Sequence, residues 1–198
     1  PASLRLGLVY NTSMPTLKQY AKRSAEFLLA RLVAQKLKRT KPTVIGITGS
    51  FGKTSTKEAV YEILKTKWRV YRNPKSLNTE IGLLLAVLQQ PSGFQSPMKW
   101  GKIFAGAIWN AFFSEKYDFL ILEYGADKPG DIEHLLSVVK PHISIITHIS
   151  RVHQDEGQFK NAEAVFEEKK KLATRLGKSD IALLNGADPF LKKLAGQL

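Results

Sequence analysis

Thr48-Gly49-Ser50-Phe51-Gly52-Lys53-Thr54-Ser55 follows directly on the apolar run Val44-Ile45-Gly46-Ile47. An apolar run that enters a glycine-punctuated loop and leaves it as a helix reads as a strand, a phosphate-cradling loop and a helix, with backbone N–H groups wrapped around anionic oxygens. Gly49 and Gly52 permit backbone conformations that a Cβ forbids, and Lys53 carries a cation to the β and γ phosphates. Thr54 offers a hydroxyl to Mg²⁺, and the dipole of the following helix turns its positive end toward the anion. The strict pattern G-x-x-x-x-G-K-[ST] is not met, because its first position is Ile47. The shorter T-G-S-x-G-K-T form stands in its place. A glycine-rich turn that happens to precede a lysine is the bland alternative, but strand context, two glycines and a Lys-Thr pair coincide here. The stretch is read as a nucleotide site.

Working outward, extended and helical patterns alternate. Strands are predicted at Val44 to Thr48, Trp68 to Tyr71, Phe119 to Glu123, Ile143 to Thr147 and Ile181 to Leu184. Helices are predicted at Lys53 to Thr66, Asn78 to Leu88, Asp131 to Val139 and Ala162 to Leu176, with a last one opening after Pro189. A Pro/Ser/Gly loop from Gln90 to Pro97 leads into an apolar segment, Trp100 to Phe113. Alternation on this scale predicts an α/β fold: a phosphate-loop NTPase-like, mostly parallel sheet with helices on both faces. Before it, from Pro15 to Lys41, Leu17, Tyr20, Phe27, Leu28, Leu32, Val33 and Leu37 recur at helical spacing among many lysines and arginines. The expected organisation is a basic amphipathic arm over residues 1–41 and a nucleotide-binding domain over 42–198. The arm either packs on its own sheet, docks on a further domain or makes peripheral contact with an anionic membrane.

Composition sets the outer bounds. The chain has 198 residues, 43% of them hydrophobic, enough to bury a core in one domain. It has no cysteine, which excludes disulfide and thiolate chemistry and fits a reducing cytoplasm. Metal ligands must therefore come from oxygen or histidine. A net charge of +13 implies acidic partners, among them nucleotides, carboxylated substrates, nucleic acid and anionic membrane. No apolar run approaches the roughly 20 residues needed to span a bilayer. No signal-peptide pattern opens the chain. The chain stops at Leu198 just after a helical pattern has begun, which reads as part of something longer.

In open parallel sheets, ligands collect at the carboxyl ends of the strands. Glu123 emerges there, at the end of Phe119-Leu120-Ile121-Leu122, and is a candidate Mg²⁺ ligand beside the phosphates; the bland reading is a surface Glu beginning a turn. His148 and His153 follow the strand ending at Thr147 and can be metal ligands, phosphate contacts or neither. Glu163 to Lys171 reads by composition as a solvated charge run. Asn185 and Asp188 sit in a loop after the last strand that can equally be a turn with a helix cap.

In order along the chain, T-G-S-x-G-K-T-S-x-K (Thr48 to Lys57), L-N-T-E-I-G (Leu77 to Gly82), L-E-Y-G-A-D-x-P-G-D-I (Leu122 to Ile132), I-T-H-I-x-x-x-H (Ile146 to His153), the Glu163 to Lys169 helix and L-N-G-A-D-P resemble the central ATPase domain of the Mur ligases. The resemblance covers roughly residues 42 to 190. It is most similar to the branch that adds D-alanyl-D-alanine to UDP-N-acetylmuramoyl-tripeptide. It implies ATP and Mg²⁺ as cofactors, UDP-muramoyl peptide and D-alanyl-D-alanine as substrates, a cytoplasmic reaction and an acyl-phosphate intermediate that an amine attacks. By the same resemblance Lys53 and the Thr48, Gly49, Ser50, Gly52, Thr54 and Ser55 loop hold phosphates, and Thr54 and Glu123 hold a first Mg²⁺. His153 stands at a second Mg²⁺. Lys169 matches a lysine that carries a metal-binding carbamate, with Lys170 and Lys171 expected to lower its pKa and favour the reactive neutral amine. Asn185 matches the residue beside adenine, and Asn78 lies near the γ-phosphate. His148 stands where the family usually has Asn, Leu84 where it often has Pro, and Lys171 where it is often acidic. Residues 92–116 form a longer connection than the family's usual one.

Two other function classes remain open on sequence. One is a related ATP-dependent amide ligase, of folylpolyglutamate type or amidating a lipid-linked precursor. The other is a basic module for nucleic acid or membrane with a regulatory nucleotide site; no nucleic acid is expected under the leading reading.

Overall fold

The computed structural model describes residues 17–73, 79–91, 97–150 and 159–198. The elements run α1 (Leu17–Thr40), β1 (Thr43–Thr48), α2 (Lys53–Leu64), β2 (Val70–Arg72), α3 (Glu80–Val87), α4 (Pro97–Phe113), β3 (Phe119–Glu123), α5 (Asp131–Val138), β4 (Ile143–Ile146), α6 (Ala162–Lys169), α7 (Lys171–Thr174), β5 (Ile181–Leu184) and α8 (Pro189–Ala195). All five strands pair in parallel in the order β2-β3-β1-β4-β5. From central β1 the chain goes to one side for β2 and β3, then to the other for β4 and β5. That reversal places a topological switch point at the carboxyl end of β1, where the glycine loop begins.

Period-2 alternation sorts the strand side chains between two helical layers. Ile45, Ile47 and Ile121 pack toward α2 with Val60, Tyr61 and Leu64. Val44, Leu120 and Leu122 face the larger core built with α1, α3, α4 and α5. Over β4 and β5 a third cluster joins Ile146 and Leu184 to Phe166, Leu191 and Leu194. The parallel α/β architecture with helices on both faces is thus the one expected.

Helix boundaries follow local chemistry. Thr79 and Asn161 cap α3 and α6 by accepting from Gly82 N and Ala164 N. Asp188 caps α8, with Pro189 in the first turn where a missing N–H costs nothing. The helix expected over Ala162 to Leu176 is instead two pieces. The break falls at Lys170, whose carbonyl accepts from both Ala173 N and Thr174 N, so the turn tightens there. Strand β2 begins later than expected, at Val70, since Arg69 N donates to the Asp118 carboxylate at 2.8 Å rather than to the ladder.

Helices α1 and α4 form an outer layer over α3, which is buried from Ile81 through Val87. The Arg39 guanidinium fastens their C-terminal ends together: Nε donates to Ala111 O at 3.1 Å and Nη2 to Ser114 O at 2.8 Å, carbonyls that the last turn of α4 leaves open. Lys36 on the inner side of α1 is 2% exposed, with its ammonium 5.4 Å from the Tyr117 ring centroid. Burial, with a smaller push from the Arg39 cation, lowers its pKa to about 8. Between about pH 8 and the ordinary lysine range the unfolded chain therefore binds more protons at this site, so stability gains from Lys36 as pH rises through that window. Lys36→Met is expected to stabilise the chain by about 1 kcal/mol at neutral pH by removing a buried cation. It should also flatten the rise of melting temperature above pH 8, as thermal melts across that range will report.

Candidate nucleotide-binding site

Strand β1 ends at Thr48, whose hydroxyl donates to Tyr124 O at 2.8 Å and ties the loop to the end of β3. Gly49 then turns with φ 149°, and a Cβ there would stand 2.0 Å from Thr147 Oγ1. Gly52, with φ 78°, is the N-cap of α2. Only glycine adopts these two conformations without strain, and at Gly49 the space is closed to a Cβ as well. Ser50 crosses to the β4 loop: its N–H donates to His148 O at 2.7 Å, and its hydroxyl lies 2.9 Å from Ser150 O and 3.0 Å from Ser150 N. Lys53 folds back so that Nζ donates to Gly49 O at 2.9 Å. Burial lowers its pKa against the pull of Glu123 and Asp127. Ser55 is exposed in the first turn of α2.

Register carries Glu123 to the same place, since Ile47 of β1 pairs with Glu123 of β3. Its carboxylate is 1% exposed, with Oε2 accepting from Thr54 Oγ1 at 3.3 Å. A hydroxyl and a carboxylate this close, at the positive end of α2, form a hard oxygen donor pair that fits Mg²⁺, which keeps several waters and takes phosphate oxygens as its other ligands. The other oxygen of Glu123 is held by Lys57 Nζ at 2.9 Å. Lys57 is fully buried and also donates to Asn73 O at 3.0 Å.

Lys57 belongs to the site although sequence reading assigned it no role. It shares a helix face with Val60, Tyr61 and Leu64, so a lysine in an otherwise apolar row is the signal that an anion had to be buried opposite it.

Lys169, 4% exposed at the end of α6, is brought to the same cluster. Its pKa falls to about 8, through burial first and the Lys53 cation second, with Asp127, Glu168 and Asp131 opposing. The expected cause is therefore corrected. Lys170 and Lys171 do not depress it, because each is neutralised by a carboxylate one turn back, Glu167 at 2.7 Å and Glu168 at 2.6 Å. Nor is the Glu163 to Lys171 run all solvated surface: Glu168 is 3% exposed and accepts from Gly130 N and Ile132 N at 2.9 and 2.7 Å, satisfying the first turn of α5.

On the β4–β5 side, Asn185 Nδ2 donates to Thr147 O at 2.9 Å, and its Oδ1 accepts from Ala187 N, so the side chain braces both strand-end loops. His148 Nδ1 lies 2.8 Å from Asp188 Oδ2, and the His148 ring stacks near Phe51 with centroids 6.4 Å apart. A cleft of about 440 Å³ opens between Thr79 and Glu80 at the start of α3 and the Gly125 to Asp131 turn. His153 and Asn78 lie outside the described residues. The structure thus brings together the Thr48 to Thr54 loop, Glu123, Lys169 and Asn185.

Comparison with known proteins agrees with this geometry. The profile of the Mur ligase middle domain family matches residues 47–198. The UDP-N-acetylmuramoyl-tripeptide–D-alanyl-D-alanine ligase of Mycobacterium leprae is 32% identical over 167 residues, covering 84% of this chain and 28% of the relative. The ligase of the same name from Borreliella burgdorferi is 33% identical over 145 residues, 73% of this chain and 26% of the relative. Among solved structures, the MurF ligase of Thermotoga maritima in complex with ADP superposes with TM-score 0.66 at 29% identity, covering 87% of this chain and 34% of that one. The chain therefore spans about a third or less of the length of these three proteins. With its profile matched from the phosphate loop to the end of the parallel sheet and beyond, the chain belongs to the Mur ligase middle domain family.

Proposed function

We propose that this chain binds ATP and carries the phosphoryl-transfer half of an amide ligase of peptidoglycan precursor synthesis, one that joins D-alanyl-D-alanine to a UDP-muramoyl peptide in the cytoplasm. The observation that carries the reading is the meeting of the phosphate loop, the Thr54–Glu123 pair and the buried Lys169 at one end of the sheet. Thr48 to Thr54 present N–H groups and the Lys53 ammonium to the phosphates, holding the γ-phosphoryl for in-line transfer to a substrate carboxylate. Thr54 and Glu123 are the residues that would hold Mg²⁺, which supplies neutralisation of the charge on the phosphate oxygens. The neutral amine of Lys169 attacks CO₂ to give a carbamate and a proton, turning a buried cation into an acidic ligand. A pKa of about 8 leaves a useful neutral fraction for that step. His153 and Asn78 take their roles at a second metal and near the γ-phosphate from the family pattern, and Asn185 walls the adenine side through the loop that it braces.

The acyl phosphate so formed needs a bound acceptor, and the cleft between α3 and the Gly125 to Asp131 turn is open to it. Titration calorimetry of this chain with ADP, with and without Mg²⁺, tests the nucleotide half. Tighter binding with the metal supports the reading, and absence of binding in both overturns it. The ligation half is tested in the full-length enzyme by ATP- and UDP-muramoyl-tripeptide-dependent capture of D-alanyl-D-alanine. Turnover with folates or lipid-linked precursors in its place reassigns the substrate.

A further inference from the structure

We propose that the outer face of α1 and α4 docks on a membrane surface rich in anionic lipid, with the aromatic side chains of α4 entering the headgroup–acyl boundary. Helix α4 is apolar on both sides. Ile103, Ala107 and Ala111 point into the core, yet Ile108, Trp109, Phe112 and Phe113 on the outward side are 47%, 63%, 45% and 65% exposed. The rings of Trp109 and Phe113 lie 4.7 Å apart, and that of Phe112 adjoins them. Neighbouring α1 adds the exposed Leu28. An apolar cluster of this kind on a surface marks a contact that water does not satisfy. Nothing in the nucleotide site calls for it, since the phosphate loop and its partners stand at the strand ends.

Charge selects the occupant. Arg31 and Lys38 on α1 and Lys99 and Lys102 on α4 are exposed around the apolar cluster, and just beyond α4 the exposed Glu115 and Lys116 offset each other. Glu26 is the single carboxylate in the two helices. A second copy of this chain would bring like cations face to face. A polynucleotide would match the charge but gain nothing from Ile108 and Leu28, which have no ring to stack on a base. Acyl chains accept aliphatic and aromatic groups alike, while lipid phosphates meet the lysines and arginines. Among the described residues no helix is long and apolar enough to cross a membrane, so the face lies on the bilayer rather than through it.

Flotation of the 198-residue chain with vesicles of phosphatidylcholine, alone or mixed with phosphatidylglycerol, tests the proposal. The chain should float with the anionic vesicles and remain behind with the neutral ones, and Trp109 emission should shift to the blue on binding, a shift lost in Trp109→Phe. Trp109→Ser/Phe113→Ser should lose at least about ten-fold in lipid affinity while keeping its melting temperature and its affinity for ADP. Lys99→Glu/Lys102→Glu should weaken binding most at low salt. Failure to float with either vesicle overturns the proposal. So does flotation that the double serine variant retains, which would be adsorption by charge alone. A dimer that the serine variant dissolves, or binding of single-stranded RNA that it abolishes, without binding to vesicles, gives the face to those partners instead.

Discussion

Lys53→Ala is expected to weaken ADP binding at least ten-fold, with the fold intact. The ammonium of Lys53 sits within the phosphate loop, 2.9 Å from Gly49 O, where burial disfavours its charge against the support of Glu123 and Asp127. A β-phosphate entering that loop brings an anion into direct contact with the ammonium, so the contact is charge-assisted and made in a partly desolvated place. Hydrogen bonds to charged groups contribute about 1.5 to 3 kcal/mol, which is a factor of about ten or more in affinity. Alanine also removes the bond to Gly49 O, but the Thr147 hydroxyl still donates to Phe51 O, Ser50 N to His148 O, and Gly52 still caps α2, so the loop persists. Calorimetry on the two proteins decides it. Equal affinities would mean that the nucleotide is held elsewhere.

The parts of this site that were legible in the sequence are those built from contiguous residues. The loop from Thr48 to Thr54 was readable because strand, glycines and Lys-Thr stand side by side, and Glu123 because an apolar strand must end somewhere and a carboxylate ended it. The parallel sheet followed from the alternation of patterns. The environment of Lys169 was not readable. Its neighbours in sequence, Lys170 and Lys171, were the charges at hand, whereas the cation that acts on it is Lys53, more than a hundred positions away and brought close only by the crossing of β1 and β4. Glu168 looked like one more charge in a solvated run for the same reason. Its function as the acceptor for the first turn of α5 depends on where α6 lies across the sheet, which no local pattern records. The apolar segment before β3 was visible as apolar, but periodicity alone could not say that α4 would keep an apolar face outward.

Lys57→Met is expected to cost about 3 to 5 kcal/mol of stability. Lys57 and Glu123 are both fully or almost fully withdrawn from water and stand 2.9 Å apart, with Asn73 O as a further acceptor for the ammonium. Methionine fits the volume of the stem but takes away the cation in direct contact with the buried carboxylate, leaving Lys53 as a more weakly coupled one. The nearby Arg72 does not replace it, being engaged with Glu58 at 2.6 Å and stacked over Tyr61. If the pair is the cause, the loss belongs to the survivor rather than to the missing lysine. Lys57→Met/Glu123→Leu should then recover most of the stability in urea unfolding, because an apolar pair of similar volume carries no buried charge. A double variant no more stable than Lys57→Met would show that Lys57 acts through α2 packing instead. The two proteins also part company over metal. Below its melting point Lys57→Met keeps a carboxylate beside Thr54 but loses the contact that aims Oε2 at it, so the gain in ADP affinity on adding Mg²⁺ should shrink, and in the double variant it should vanish.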